Sequence, residues 1–91
     1  MSDDEGYELV LTPPAVRAIR AGLPEAVAAA VIAFMTGPLV GNHRRVGKML
    51  RRELVGIWSA RRGTYRVLYR INDDPKEVVV LRIEHRRDVY H

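Results

Sequence analysis

The sequence predicts a single α+β domain over residues 1–91, in which a helical hairpin covers one face of an antiparallel sheet in the order β-α-α-β-β-β. Three observations predict this class. A short β-prone segment comes first, two segments with helical spacing follow, and three segments of alternating polar and apolar residues come last. Because a chain of 91 residues buries only about 60 to 65% of its unfolded surface, we expect a modest core.

The first strand and the first helix are predicted near the start of the chain. Tyr7 to Leu11 (YELVL) is β-prone and bounded by polar residues, which is typical of a strand. Thr12 offers a hydroxyl at a helix N-cap, and the two prolines after it suit a first turn because no N–H is needed there. We therefore expect a helix from Pro13 to about Ala21, ended by Gly22.

A second helix is predicted to open at Pro24, in the segment PEAVAAAVIAFM. Its alanines have high helix propensity, and its larger apolar side chains recur at helical spacing. These apolar positions are Val27, Val31, Phe34 and Met35. Thr36-Gly37-Pro38 should end the helix, and Leu39 to Lys48, with its two glycines, should form an ordered but irregular connection.

Three strand segments complete the predicted sheet: Leu54 to Arg62, Thr64 to Asn72 and Glu77 to His85. Gly63 marks the first turn between them, and Asn72-Asp73-Asp74-Pro75 marks the second. Both turns are short enough for an antiparallel meander.

Alternation assigns the side chains of these strands to two faces of the sheet. In the middle strand, the face toward the helices should carry Tyr65, Val67, Tyr69 and Ile71, with Thr64, Arg66, Leu68 and Arg70 on the open face. In the last strand, the core face should carry Val79, Leu81 and Ile83, with Val78, Val80, Arg82, Glu84 and Arg86 opposite. In the preceding strand, alternation does not decide which set is inward, Ile57, Ser59 and Arg61 or Trp58, Ala60 and Arg62.

The positive charge of the chain is concentrated in its second half. Residues 1–43 hold two Lys+Arg and five Asp+Glu, net −3, whereas residues 44–91 hold thirteen and six, net +7. A polyanion, most simply nucleic acid, is the natural partner of such a half, and the alternative is a solvated basic surface that aids solubility. The absence of cysteine excludes disulfides and thiolate sites, and the acidic start without a long hydrophobic run predicts a soluble, intracellular protein with no membrane segment.

Arginines from separate strands should converge on the open face. Neighbouring strands lie about 4.8 Å apart, so guanidinium groups on the same face repel one another in the empty protein. A bound phosphodiester removes this conflict, because guanidinium forks match phosphate oxygens. The alternative is that Glu53, Glu84 and Asp88 neutralise the cluster, but three carboxylates are too few for its seven members, Arg61, Arg62, Arg66, Arg70, Arg82, Arg86 and Arg87.

The remaining candidate residues are single aromatic rings and histidines. His43, His85 and His91 lack carboxylate companions at ligand spacing, so no metal site is expected. His85 falls in the core set and favours a structural role over acid–base work, and Trp58 favours burial over base stacking. Tyr90 lies beyond the last strand with no apolar pattern around it, which makes it a candidate for base stacking or proton transfer.

The sequence has no Gly-rich phosphate loop, serine-elbow motif or paired carboxylates at a loop end. One reaction suits a set of arginine, lysine, tyrosine and isolated acids: attack of an RNA 2′-hydroxyl on its own adjacent phosphate. The nucleophile belongs to the substrate, so the protein supplies only proton transfer and charge stabilisation, and no cofactor or metal is required.

The segments GKMLRRELVGIWSARRGTYRVLYRI and VVVLRIEHRRDVY, together with YELVLTPPAVRAI at the start, resemble the RelE/ParE toxin superfamily over nearly the whole chain. The resemblance implies the RelE-like microbial RNase fold and a type II toxin in the cytoplasm, neutralised by an acidic cognate antitoxin that wraps it. In the RelE branch it implies cleavage of mRNA in the A site of the 30S ribosomal subunit.

The resemblance also assigns roles by position. Arg61, Arg66 and Arg86 match the arginines that stabilise the scissile phosphate, Tyr90 matches the C-terminal aromatic residue, and Lys48 falls where other members place a general base. Some RelE enzymes carry two lysines where this chain has Ile57 and Ser59, so the general base stays open among Lys48, Glu53, Glu84 and His85.

The other basic residues near these positions are predicted to bind RNA: Arg44, Arg45, Arg51, Arg52, Arg62, Arg70, Arg82 and Arg87. Two alternatives to a nuclease remain. One is a ParE-like inhibitor of DNA gyrase without RNA chemistry, and the other is a nucleic-acid-binding module without catalysis.

Overall fold

The computed structural model describes residues 5–50 and 56–86. The predictions made for Arg51, Arg52, Glu53, Arg87, Asp88, Tyr90 and His91, and for the start of a strand at Leu54, lie outside these residues. The strands are β1 (Glu8–Leu11), β2 (Lys48–Met49), β3 (Trp58–Arg62), β4 (Tyr65–Asp73) and β5 (Lys76–His85). The helices are α1 (Pro13–Arg17), α2 (Glu25–Phe34) and α3 (His43–Val46).

The five strands form one sheet in the order β1-β5-β4-β3-β2, with the helices packed on one face. The predicted α+β class with a helical hairpin on one face is confirmed. Strands β3 to β5 pair antiparallel as predicted, and β2, which was not predicted as a strand, pairs antiparallel to β3. The prediction of a wholly antiparallel sheet is wrong, because β1 pairs parallel to β5, with Glu8 opposite Glu77 and Leu11 opposite Val80. The strand order along the chain did not specify that pairing.

Helix α1 begins at Pro13 and continues through a π-helical turn, Ala18–Gly22, so the predicted end at Gly22 is confirmed. Thr12 is the N-cap residue, but its side chain makes no capping hydrogen bond. The next two residues are prolines, which have no N–H to offer it. Its hydroxyl instead lies 2.8 Å from the carbonyl oxygen of Val80 and 2.9 Å from that of Leu81 in β5.

The predicted end of the second helix at Thr36-Gly37-Pro38 is wrong. Helix α2 continues through a π-helical turn, Met35–Leu39, that contains Pro38. The wider turn accommodates the proline ring, and the Thr36 hydroxyl donates to the Ile32 carbonyl oxygen at 2.8 Å. Burial of Met35 and Leu39, which are 1% and 0% exposed, outweighs the local stop signal.

The segment that follows α2 is more regular than the sequence predicted. It forms α3 and then β2, which pairs with β3 through Lys48 opposite Ser59. Tyr69 donates a hydrogen bond to the carbonyl oxygen of His43, and a Cβ on Gly47 would overlap the Tyr69 hydroxyl. Glycine at this position therefore allows α3 and β2 to approach the sheet closely.

The core lies between the helices and one face of the sheet. Val31, Phe34 and Met35 of the second helical segment pack with Tyr65, Val67 and Tyr69 of β4, as predicted. In β3, Ala60 is buried and Trp58 packs against the core, which places Arg61 and Ser59 on the open face. Across the described residues, no helix is long and apolar enough to cross a membrane.

The face assignment for the first half of β5 is wrong. Val78 and Val80 are fully buried, whereas Val79 and Leu81 are half-buried and lie outside the core. A β-bulge is the cause: Leu68 pairs with Arg82, but Tyr69 pairs with Val80, so Leu81 is an extra residue that shifts the alternation. Beyond the bulge the predicted faces are confirmed, with Ile83 and His85 buried.

Candidate active site

A pocket of about 250 Å³ opens at the end of the sheet where β3 turns into β4. Its lining residues come from β3, from the turn, from β4 and from the end of β5. They are Arg61, Gly63, Thr64, Tyr65, Arg66, Glu84 and Arg86. Arg61, Arg66 and Arg86, which the sequence predicted to meet, therefore line one pocket.

The strand register explains this convergence. Arg61 of β3 lies directly opposite Arg66 of β4, and Arg66 lies directly opposite Glu84 of β5. Gly63 adopts a φ of 55°, a left-handed conformation that favours glycine, and so permits the tight turn between β3 and β4. The backbone N–H of Arg86 donates to the Thr64 carbonyl oxygen at 2.6 Å, which holds the end of β5 beside that turn.

Glu84 is the acidic residue of the pocket. The Arg66 Nε donates to Glu84 Oε1 at 2.9 Å, and Nη2 of the same guanidinium donates to the same oxygen. The Arg66 and Glu84 side chains are 37% and 22% exposed, so the pair is only partly screened by water. Among the described residues, Arg61 has no carboxylate within ion-pair distance. The pocket thus keeps an excess of positive charge.

Tyr65 lines the pocket, and its side chain packs in the core toward the helices. It is 9% exposed, and its hydroxyl donates to the Ala30 carbonyl oxygen at 3.4 Å. Burial raises the pKa of this hydroxyl, and the nearby Arg62 guanidinium opposes the rise. The Arg62 guanidinium itself lies 5.1 Å from the centre of the Phe34 ring. Arg62 is therefore directed toward the helical face, away from the arginines of the pocket.

Of the four candidates for a general base, Glu84 is the one that lines the pocket within the described parts of the chain. His85 is 7% exposed on the helical face, which agrees with the structural role predicted for it. Lys48 lies on the open face opposite Ser59, so Arg61, two residues further along β3, is its diagonal neighbour. Diagonal neighbours lie about 7–8 Å apart, within reach of a lysine side chain. Glu53 lies outside the described residues.

The predicted RNA-binding residues are spread over several regions. Arg70 and Arg82 are exposed on the open face, opposite Val79 and Leu68, and both lie outside the pocket. Arg45 is exposed on α3. The predictions for Arg51, Arg52 and Arg87, and for Tyr90 as a catalytic residue, concern positions that the structure does not describe.

Arg44 belongs to a second polar cluster at the opposite end of β4, which the sequence analysis missed. Asp73 accepts hydrogen bonds from the Tyr7 hydroxyl and from Arg44 Nη2, the latter at 2.6 Å. These hydrogen bonds, that of Tyr7 first, lower the pKa of Asp73. The Tyr7 and Asp73 positions are far apart in the sequence, so only the parallel pairing of β1 with β5 could have indicated this contact.

In residues 5–50 and 56–86, no three His, Asp or Glu side chains come together in a way that could hold a metal ion. The chemical capacity of the pocket lies in three guanidinium groups and one carboxylate. The guanidinium groups can bind the oxygens of an anion such as a phosphate, and the carboxylate can accept a proton.

Comparison with known proteins identifies the family. A model of the ParE toxin of the type II toxin-antitoxin system parDE matches residues 10–90. The chain belongs to the RelE/ParE superfamily of type II toxins. This membership confirms the resemblance that the sequence motifs indicated.

Individual relatives carry RelE-type names. The chain is 46% identical to toxin RelE of Mycobacterium tuberculosis over 90 residues, which cover 99% of this chain and 92% of the relative. It is 57% identical to toxin RelG of the same organism over 68 residues, which cover 75% of this chain and 78% of the relative. The crystal structure of the M. tuberculosis toxin-antitoxin complex RelBE2 contains a chain that is 51% identical, with a TM-score of 0.84 over 88% of this chain and 98% of that one. The protein is thus a RelE-type toxin of a type II toxin-antitoxin system.

Proposed function

We propose that this toxin is a ribosome-dependent endoribonuclease, an mRNA interferase that cuts messenger RNA in the 30S A site and so inhibits translation in the cytoplasm. The observation that carries this proposal is the convergence of Arg61, Arg66 and Arg86 with Glu84 on one open pocket. The RelE-type relatives support the same activity. The match of the family model to residues 10–90 supports a single toxin domain.

The proposed reaction is transesterification within the RNA. The 2′-oxygen of the substrate attacks the adjacent phosphorus, a new O2′–P bond forms, and the P–O5′ bond breaks. The products are a 2′,3′-cyclic phosphate and a 5′-hydroxyl. One proton leaves the 2′-hydroxyl and one is gained by the 5′-oxygen, so the reaction needs a base and an acid but no redox partner or metal.

Glu84 is the proposed base for the 2′-hydroxyl. A carboxylate can accept that proton, and Arg66 Nε donates to one of its oxygens at 2.9 Å, which fixes the direction of the carboxylate. Lys48, on the same face, is the alternative base. Tyr90 is the proposed acid or stacking residue on the basis of its position in the family motif.

The arginines are proposed to stabilise the charge that develops on the phosphorane. Arg61 and Arg86 contact the non-bridging oxygens, and Arg66 contacts both Glu84 and the phosphate. In a partly water-excluded site such preorganised donors are worth about 10²–10³ in rate each. The remaining basic residues of the open face, Arg70 and Arg82, are proposed to hold flanking phosphates.

The proposed partner of the toxin in the resting cell is an acidic cognate antitoxin. The solved RelBE2 relative is a toxin-antitoxin complex, which supports such a partner. The positive charge of residues 44–91, net +7, favours a partner of opposite charge.

A ParE-like inhibitor of DNA gyrase is the second candidate, because the matching family model describes a ParE toxin. The two activities differ in their products. Mapping of cellular RNA ends after induction, together with an assay for DNA breaks, distinguishes them. The proposal predicts codon-phased cuts in messages, reproduced in vitro only when ribosomes are present. DNA breaks without RNA cuts would identify a gyrase inhibitor instead. If neither RNA cuts nor DNA breaks are found, the protein is a binding module without catalysis.

A further inference from the structure

Tyr69 links the middle of the sheet to the segment that carries Lys48. Its side chain is fully buried on the helical face of β4, beside Trp58 of β3, with the two ring centres 6.3 Å apart. Its hydroxyl donates a hydrogen bond to the carbonyl oxygen of His43, in the helix that leads into β2. A side chain of β4 therefore contacts the chain just before β2, which lies on the far side of β3 in the sheet.

Gly47, which joins α3 to β2, leaves room for this contact. Its φ of −131° and ψ of 179° describe extended backbone that any residue adopts, so conformational freedom does not explain the glycine. Space explains it, because a Cβ at this position would overlap the Tyr69 hydroxyl and would lie 3.0 Å from the carbonyl oxygen of Ser59 in β3. The sequence thus keeps a place for the tyrosine hydroxyl immediately before Lys48.

The position of Lys48 depends on such a contact, because β2 is short. The strand has two residues, Lys48–Met49, both exposed, and it lies at the edge of the sheet. Short edge segments open locally at little cost in free energy unless other contacts hold them. Pairing with Ser59 keeps Lys48 on the open face, where Arg61 of the pocket is its diagonal neighbour. A slip of one residue would move Lys48 to the opposite face.

We propose that Tyr69 is a positioning residue of the candidate active site and acts through Lys48. Its hydroxyl holds α3 and Gly47 against the sheet, and so keeps β2 in the register that places Lys48 beside Arg61. Tyr69 itself does not touch the substrate, because it is buried on the other face of the sheet. The inference rests on the proposed function, since it requires Lys48 to take part in RNA cleavage.

The test uses the full-length toxin and separates the tyrosine hydroxyl from its ring. Tyr69→Phe removes the hydroxyl and keeps the ring in the core. Tyr7→Phe is the matched control, because it also removes a hydroxyl that donates a hydrogen bond, in this case to Asp73 and away from the pocket. Lys48→Ala and the double variant Lys48→Ala/Tyr69→Phe complete a double-mutant cycle. The rate is measured as single-turnover cleavage of a defined message on ribosomes.

We expect Tyr69→Phe to cleave about 10- to 100-fold more slowly than the wild type, because a displaced group loses its alignment with the substrate. Tyr7→Phe should stay within about threefold of the wild type. In the Lys48→Ala background, Tyr69→Phe should cause no further loss beyond about twofold. Additive losses would mean that Tyr69 acts on the fold and not through Lys48, and would overturn the inference. A wild-type rate in Lys48→Ala would overturn it as well.

Amide hydrogen exchange gives a second readout that needs no RNA. The Leu50 N–H donates to the Ile57 carbonyl oxygen at 2.7 Å and so reports the pairing of β2 with β3. We expect it to exchange about fivefold faster in Tyr69→Phe and at the wild-type rate in Tyr7→Phe. Gly47→Ala should also speed this exchange, and it should do so less in the Tyr69→Phe background, where the overlapping hydroxyl is gone.

The outcomes separate this inference from the proposed function. If the wild type cleaves RNA but Tyr69→Phe keeps the wild-type Leu50 exchange or the wild-type cleavage rate, the inference alone is overturned. If the wild type cleaves no RNA, the proposed function is overturned and the positioning role falls with it.

Discussion

At the scale of single residues, the pocket is a collection of charges that does not favour the stability of the empty protein. Arg61 and Arg66 lie directly opposite each other, and like charges in that arrangement destabilise a sheet by about 0.2–1 kcal/mol. Glu84 offsets part of this cost, because one of its oxygens accepts two hydrogen bonds from Arg66. Among the described residues, Glu84 thus pairs with Arg66, whereas Arg61 has no carboxylate within ion-pair distance.

Glu84→Gln tests the proposed base. The amide keeps the shape of the side chain but cannot accept the 2′-hydroxyl proton, so we expect single-turnover cleavage to fall by about 10²–10⁴-fold. Glu77→Gln is the control, since Glu77 lies on β5 at the opposite end of the sheet, beside Glu8. If Glu84→Gln cleaves at the wild-type rate while Lys48→Ala does not, the base is Lys48.

Asp73→Asn tests the second polar cluster through pH. Hydrogen bonds from Tyr7 and Arg44 lower the pKa of Asp73 in the folded state, so its contribution to stability is present above the unfolded pKa near 3.9. That contribution is lost as pH falls through the lower, folded pKa. In urea unfolding, we therefore expect wild type to lose more stability than Asp73→Asn between pH 5 and pH 2. Asp74→Asn, in the same turn, is the control, and an equal pH dependence of wild type and Asp73→Asn would contradict the assignment.

At the scale of elements, one bulge decides which residues of β5 face the pocket. The extra residue Leu81 lets Val78 and Val80 face the core while Arg82, Glu84 and Arg86 face outward. Thr12, which follows β1, holds this bulge from the β1 side of β5, because its hydroxyl is shared between the carbonyl oxygens of Val80 and Leu81. The start of α1 is thereby connected to the alignment of the pocket.

Thr12→Val removes the hydroxyl and keeps the shape of the side chain. The Leu81 carbonyl loses this hydrogen bond, and we expect a loss of about 1 kcal/mol in unfolding free energy. We also expect a fall in cleavage rate that Thr12→Ser reverses, since serine restores the hydroxyl. The measurements are thermal unfolding and single-turnover cleavage of the same preparations. A Thr12→Val protein that matches wild type in both would show that Thr12 does not position β5.

The elements also differ in how far the sequence predicts them. The faces of β4 follow from simple alternation because that strand is regular where it packs on the helices. The faces of β5 do not follow from alternation, because a single extra residue at the bulge shifts the two-residue period of its side chains. No glycine or proline in the sequence marks that bulge. The predicted end of the second helix at Pro38 was wrong, because the helix is extended by the burial of Met35 and Leu39, which depends on tertiary packing.

The candidate site, too, was predictable only in part. Its arginines were predictable, because Arg61 and Arg66 flank a glycine turn and must lie opposite each other in a tight hairpin. The pairing of Arg66 with Glu84 was not, because it depends on the register between β4 and β5 beyond the bulge. The Asp73 cluster was missed because it joins residues from both ends of the chain.

At the scale of the whole molecule, the sheet separates two tasks. One face is covered by the helices and supplies the core, and the open face is left for partners. On that open face the arginine pocket lies at the end of the hairpin between β3 and β4. A chain of 91 residues has room for only one core, so the candidate active site uses the face that the core does not use.

The central claim is that guanidinium groups from β3, β4 and the end of β5 act together on one phosphate. The most direct test is single-turnover cleavage of a defined message on ribosomes by Arg61→Ala, Arg66→Ala and Arg86→Ala, with Arg20→Ala as the charge-matched control on the helical layer. We predict a loss of about 10²–10³-fold for each pocket variant and a change within about threefold for Arg20→Ala, with circular dichroism showing that all four are folded. Equal small losses in all four variants would mean that only net charge matters and would contradict the account.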